Sequence, residues 1–229
     1  TSSATEAINL LFSNFDNIIV SSIEHLAVLS SSNTNHIIPV DKNGIIDLNY
    51  LELYLKKNVK KKNQTLVSVM WVNNETGVIQ PINEVVRIAK KYECLVHSDA
   101  AQALGKIKIN LEETELDFLT LSGHKIGAPT GIGALVYNNN LSLKPQILGG
   151  GQEKGLRAGT ENILGITGFS EAAKFMINKS PIDCSEVQFL KDYFANKVKR
   201  YRPETVIFGE STTRVANTLL MALPNIPGD

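Results

Sequence analysis

Short apolar runs alternate with segments of helical period along most of this chain, and that alternation leaves few folds open. The run at residues 65–72 (TLVSVMWV) is a long apolar strand of the kind buried on both faces. Other strand-like runs lie at 17–21 (NIIVS), 36–40, 95–98, 118–122, 134–137, 206–208 and 216–223. Between them, Ala4, Ala7, Ile8, Leu11 and Phe15 recur at helical spacing and predict a helix over 4–15. A short helix is expected over 24–30. Asp47 is the N-cap expected for a helix reaching residue 57, and Pro81 sits at a favourable first-turn position for one reaching residue 92. Two further helices are expected over 161–176 and 186–200. Strands alternating with helices imply βαβ units: an α/β fold with a mostly parallel sheet and helices on both faces. No internal repeat is visible. Polarity rises near 179–181, which sets an expected boundary between a large domain over 1–180 and the start of a smaller one over 181–229.

Ligands of such sheets bind at the carboxyl ends of the strands. Lys125 follows a short apolar strand and a Ser-Gly-His turn, a good position for a Schiff base. Asp99 closes an earlier apolar strand, well placed to pair with a protonated pyridine nitrogen. A lysine with an acidic partner for the ring nitrogen is how a protein holds pyridoxal phosphate and tunes it as an electron sink. That pairing points to chemistry on an amino acid.

The other candidates each have an ordinary structural reading beside the functional one. Thr1 to Ala7 is a hydroxyl-rich turn entering a helix, either a phosphate site or a Ser/Thr N-cap. His25 is a surface or core histidine, or one that stacks on an aromatic cofactor and moves protons. Asn73 and Asn74 either form a turn or bond a ring hydroxyl. Asp99 and Gln102 either cap the next segment or lie at a ring. Ser122 and His124 are donors suited to a phosphate, and Gly127, Pro129, Gly131 and Gly133 then constrain the loop after Lys125. The Gly-rich stretch from Leu148 to Glu161 is a flexible loop, or a phosphate site using backbone N–H groups and Thr160. It matches neither the dinucleotide nor the Walker pattern.

Composition excludes some partners. The 229 residues carry zero net charge, so nothing points to nucleic acid or a membrane surface. The basic cluster KKNVKKK at 56–62 reads as a solvated helix end or loop. Cys94 and Cys184 fit no metal-ligand spacing and no disulfide framework, which suggests a reducing compartment, the cytoplasm or an organelle matrix. No apolar stretch approaches the ~18 residues of a membrane span. The chain starts at Thr1, inside what reads as a motif, and stops at Asp229 after a Pro-rich turn, so an incomplete chain is expected.

The stretches SSATEAINL, SSIEH, VNNETGVIQPI, HSDAAQALGKIKI, LSGHKIGAPTGIGAL and GGGQEKGLRAGTENI, in this order, resemble the fold-type I, class V pyridoxal-phosphate enzymes, specifically the cysteine desulfurases. They cover most of residues 1–170. The resemblance implies a large domain of that transferase fold plus an incomplete α+β small domain. It implies that Lys125 forms the Schiff base, that Asp99 pairs with the pyridine nitrogen, and that His25 stacks on the ring and shuttles protons. It assigns Asn74 and Gln102 to the ring and its hydroxyl. Ala4, Thr5, Ser122 and His124 would bind the phosphate. Thr160 would reach the phosphate of a neighbouring subunit, which implies a homodimer with shared sites. The implied reaction turns L-cysteine into L-alanine: the freed lysine removes the alpha proton, and an enzyme thiolate attacks the substrate sulfur. The resulting persulfide goes to an iron–sulfur scaffold or a tRNA-thiolation acceptor.

The chain departs from that pattern in three places. Ser3 stands where the family commonly has glycine. The persulfide cysteine belongs on a loop downstream of a strand resembling residues 218–223, and neither Cys94 nor Cys184 matches it. The arginine for the substrate carboxylate belongs still further on. The expectation is a segment that binds cofactor without turning over cysteine by itself. The alternatives are another class V enzyme, such as a selenocysteine lyase or an aminotransferase, and a non-catalytic remnant. The intact Lys125, Asp99, His25, Ser122 and His124 argue against the remnant.

Overall fold

A computed structural model describes residues 1–31, 34–59, 64–178 and 184–226. Its main sheet contains β1 (Asn17–Ser21), β2 (Thr34–Ile38), β3 (Thr65–Ser68), β4 (Leu95–Asp99), β5 (Phe118–Ser122) and β6 (Gly133–Tyr137). Their order is β2-β1-β3-β4-β5-β6. The first five strands are parallel, and β6 runs antiparallel to β5.

Side chains alternate between two apolar layers, as the two-residue period of a strand requires. Ile18, Val20, Leu66, Leu95 and Phe118 meet Ile8, Leu11 and Phe12 of helix α1 (Ala4–Phe12), together with Val28 of the short α2 (Leu26–Leu29). Ile19, Val67, Val96 and Leu119 meet Leu51 and Leu55 of α3 (Leu48–Asn58) and Val85, Val86 and Ala89 of α4 (Ile82–Lys91). Both faces are therefore covered, which is why the strands read as continuous apolar runs.

Several element limits differ from the sequence reading. Helix α1 stops at Phe12; Phe15 is buried beyond the helix end and meets Phe118 edge-on at 5.9 Å between ring centroids. Its burial extended the apparent period. The 65–72 run pairs as a strand only to Ser68. Beyond it, Val69 and Trp71 still donate to His97 and Asp99 of β4, but Met70 N–H goes to the Glu24 carboxylate. Asp47 caps α3 as expected, accepting from Tyr50 N–H at 2.9 Å, whereas Pro81 is the residue before α4. Asp99 is the last residue of β4. A short helix α5 (Leu111–Thr114), capped by Asn110, was not foreseen.

The later segment carries α6 (Ile163–Asn178), α7 (Ser185–Tyr201) and a two-stranded antiparallel sheet of β7 (Val206–Ile207) and β8 (Met221–Ala222). The expected strand over 216–223 shrinks to those two residues of β8. Just ahead of it, residues 213–215 bond to the loop after β3: Ile79 donates to Thr213, and Val215 donates to Gly77. The expected domain boundary at 179–181 and the last three lysines of the basic cluster lie outside the described residues.

One close approach positions the first turn of α1. Thr1 and Gly133 exchange backbone hydrogen bonds, Gly133 N–H to Thr1 O at 2.9 Å and Thr1 N to Gly133 O at 3.2 Å. A Cβ on Gly133 would stand 2.5 Å from Ser3 C and 2.9 Å from Ala4 N. Gly133→Ala is expected to cost about 1–3 kcal/mol of stability through this overpacking. Denaturant midpoints measure it; an unchanged midpoint would contradict the close approach.

Candidate active site

The parallel register delivers the carboxyl ends of four strands to one edge. Val20 pairs with Ser68, Ser68 with His97, and Asp99 with Thr120. The loops bearing His25, Asn74, Gln102 and Lys125 all leave from that edge. Leu95, His97 and Asp99 alternate onto the α1 face of β4, and Phe118, Thr120 and Ser122 onto the same face of β5.

Asp99 is 6% exposed. Its Oδ1 accepts from Ala101 N–H at 2.9 Å. Burial pushes its carboxyl above the usual range, while the charges of His25 and Lys125 pull it back. Those three groups therefore share one electrostatic neighbourhood. Lys125 is exposed in a 3-10 helix, Gly123–Ile126, that follows β5 directly. His25 is exposed at the N-cap of α2, where its Nδ1 accepts from Ala27 N–H at 3.1 Å. In the neutral ring that bond places the proton on Nε2.

The two adjacent asparagines have different tasks. Asn73 is buried; its amide donates to Ile23 O at 3.1 Å, and its Oδ1 accepts from Glu75 N–H, Thr76 N–H and the Thr76 hydroxyl. It builds the turn and ties it to the His25 segment. Asn74 is half-buried beside it. Gln102 is half-buried, and its Oε1 accepts from the Lys106 ammonium. Desolvation lowers the Lys106 pKa, with the Lys125 charge adding to that effect.

The phosphate candidates also converge. Ser122 pairs across the sheet with Gly133, and Gly133 lies against the first turn of α1. Ser122 Oγ and His124 Nδ1 are 3.0 Å apart. Ala4 and Thr5 open α1, so their N–H groups have no intrahelical acceptor. Ser3 has φ −168°, extended backbone open to any residue, so serine fits where the family commonly has glycine. Its hydroxyl accepts from Glu6 N–H at 3.1 Å. Burial disfavours the ionised Glu6, but bonds from Arg157 and Ser2 outweigh it and lower its carboxyl to about 2. The Glu6 charge is thereby engaged with Arg157 at 2.9 Å.

Thr160 does not join the Asp99 group. It is exposed on the wall of a cavity of about 690 Å³ shared with Thr1, Ser2, Gly133 and Arg157. Cys94 is buried at the start of β4, and desolvation pushes its thiol up to about 11, so it is a poor nucleophile. Among the described residues no group of three His, Cys, Asp or Glu side chains is placed to hold a metal ion, and no helix is long and apolar enough to cross a membrane.

Two residues escaped the sequence reading. His97 is wholly buried between Ser68 Oγ at 2.8 Å and Thr120 Oγ1 at 3.3 Å, a polar ladder across β3, β4 and β5. Glu24 is buried next to His25, with a carboxyl pushed up to about 8, first by desolvation and also by the Asp99 charge. The only signal for either was a polar residue inside an apolar stretch.

A doubly wound parallel sheet with a lysine and a buried carboxylate at one edge defines a class of enzyme, and known proteins specify it. Residues 1–226 match the family described as Aminotransferase class-V. The chain belongs to that family, whose cofactor is pyridoxal phosphate. It is 38% identical to a protein named cysteine desulfurase IscS from Ehrlichia chaffeensis, covering 100% of this chain and 59% of that protein. It is 36% identical to one named cysteine desulfurase NifS from Azotobacter vinelandii, covering 93% of this chain and 53% of that protein. The crystal structure of a NifS-like protein from Rickettsia africae superposes with a TM-score of 0.93 at 40% identity, over 99% of this chain and 63% of that one. The chain thus spans between half and two thirds of these relatives.

Burial holds His97 neutral down to about 3, whereas an unfolded histidine protonates near 6.5. The unfolded state therefore binds the extra proton, and the fold loses stability as pH falls from 6.5 towards 3, by roughly 1 kcal/mol per pH unit at its steepest. His97→Gln should flatten this acid limb in thermal midpoints measured against pH. An equally steep limb would contradict the assignment.

Proposed function

We propose that this chain is the cofactor-binding part of a cysteine desulfurase that converts L-cysteine to L-alanine and passes the sulfur on as a persulfide. The observation that carries the reading is the shared neighbourhood of Asp99, His25 and Lys125, in a chain aligned over almost its whole length with proteins named desulfurases. Bound pyridoxal phosphate supplies an electron sink for charge developing at the α carbon of an amino acid.

The residues of the site fit that group. The N–H groups of Ala4 and Thr5, at the positive end of α1, hold its phosphate with Ser122 and His124. Asp99 gives the ring nitrogen an anionic partner, and a cationic ring in turn relieves a buried carboxylate that burial alone disfavours. Asn74 and Gln102 orient the ring through its hydroxyl; Gln102 uses its amide nitrogen, because its oxygen is engaged by Lys106. His25 would lie against the ring and would move a proton at Nε2, since Nδ1 accepts from Ala27 N–H. Lys125 would hold the cofactor through Nζ, and the same nitrogen would take the α proton of the substrate.

Cys94 is unsuited to accept the sulfur, because its buried thiol stays protonated. That task falls to another thiolate, and the persulfide then passes to an iron–sulfur scaffold or another acceptor. Thr160, exposed and apart from the Asp99 group, serves the phosphate of a second subunit in a homodimer with shared sites. Residues 1–180 form the cofactor-binding domain, and 181–229 open the smaller one.

The purified chain should take up pyridoxal phosphate with a visible absorption band and form no alanine from L-cysteine by itself; alanine formation would contradict the assignment of the sulfur-accepting thiolate to another segment. Lys125→Ala should remove the band. A band with transamination of a keto acid and no sulfur release would favour a different class V enzyme. No band at all would refute the reading.

A further inference from the structure

Glu24 is a buried acid that the account above does not use. It is 6% exposed, and its Oε2 has no hydrogen-bond partner among the described residues. Its Oε1 accepts two bonds, from the Ser21 hydroxyl at 2.6 Å and from Met70 N–H at 2.7 Å. The second bond sits just past the last β1–β3 pair, Val20 with Ser68. There it replaces the ladder and joins the end of β1 to the segment that follows β3. His25 is the next residue, and its ring is set by its own bond to Ala27 N–H. The Glu24 clamp and the α2 cap together fix where His25 stands.

The charged group facing Glu24 is Asp99, at the end of β4. Asp99 in turn feels His25 and Lys125. The groups bonded to it are neutral: the Ser21 hydroxyl on β1 and the Met70 N–H after β3. Two carboxylates in one dry interior do not both ionise at little cost. Desolvation is the larger effect on Glu24, and it keeps its proton up to about 8.

We propose that Glu24 is a positioning residue of the cofactor site, clamping β1 to the segment after β3 so that His25 is held in place, and leaving Asp99 as the only carboxylate charge offered to the ring nitrogen. This rests on the cofactor reading given above. An amide oxygen makes the same two bonds as Oε1, so Glu24→Gln keeps the clamp. Glu24→Ala removes it and strands the Met70 N–H and the Ser21 hydroxyl.

The test compares wild type, Glu24→Gln and Glu24→Ala by titration with pyridoxal phosphate, read at the visible band, and by thermal midpoints against pH. Glu24→Gln is expected to bind within about threefold of wild type, and Glu24→Ala at least about tenfold more weakly. The unfolded glutamate ionises from 4.5 while the folded one keeps its proton to about 8, so wild type should lose stability relative to Glu24→Gln as pH rises through that window. That pH-dependent difference reports the proton on Glu24, and the split in cofactor affinity between the Gln and Ala variants reports its positioning role. Equal binding by the Gln and Ala variants, or parallel wild-type and Gln midpoints between those pH values, overturns the inference while the cofactor reading stands. No band in wild type overturns both.

Discussion

A sheet covered on both faces has room for ionised side chains only where its strands end. The α1 layer and the α3–α4 layer exclude water from β1, β3, β4 and β5 along their length. The parallel register then brings the carboxyl ends of those four strands to a single edge. Asp99, His25, Lys125, Ser122 and Gln102 come from segments up to a hundred residues apart, yet each follows, or ends, one of these strands. The site is a consequence of topology before it is a set of residues.

The electrostatics of that edge follow from its dryness. Asp99 lies close enough to Glu24 to raise the cost of its charge, and burial disfavours both anions. Lys125 and the charged form of His25 oppose this at Asp99. Glu24 keeps its proton to about 8, while Asp99 faces Lys125 and His25. Further along the same face, His97 stays neutral and ties three strands together through Ser68 and Thr120. Glu6 is the counter-example: Arg157 and Ser2 reach it, and it stays ionised well into acid.

Much of this was legible in the sequence, for a physical reason. Strands buried on both faces must be apolar throughout, so 17–21 and 118–122 stood out with their true limits. The Asp47 cap and the placement of Lys125 and Asp99 at strand ends were readable from local rules. What was not legible depended on tertiary partners. The 65–72 run looked like one strand, because nothing local says that a glutamate 46 residues away takes the Met70 N–H. Asn73 and Asn74 were equivalent on paper, and only the fold around Ile23 assigns the turn to Asn73. Ser3 stands where the family commonly has glycine, and only the fold shows its backbone to be extended and its role an ordinary cap. His97 and Glu24 were polar residues in apolar surroundings, and their partners lie on other strands.

The central claim is that these strand ends form one cofactor site with Lys125 as its anchor. The most direct test is to load the protein with pyridoxal phosphate, reduce it with borohydride and locate the modified lysine by peptide mass spectrometry. The account predicts the label on Lys125. Label on the neighbouring Lys106, or spread over surface lysines, would contradict it.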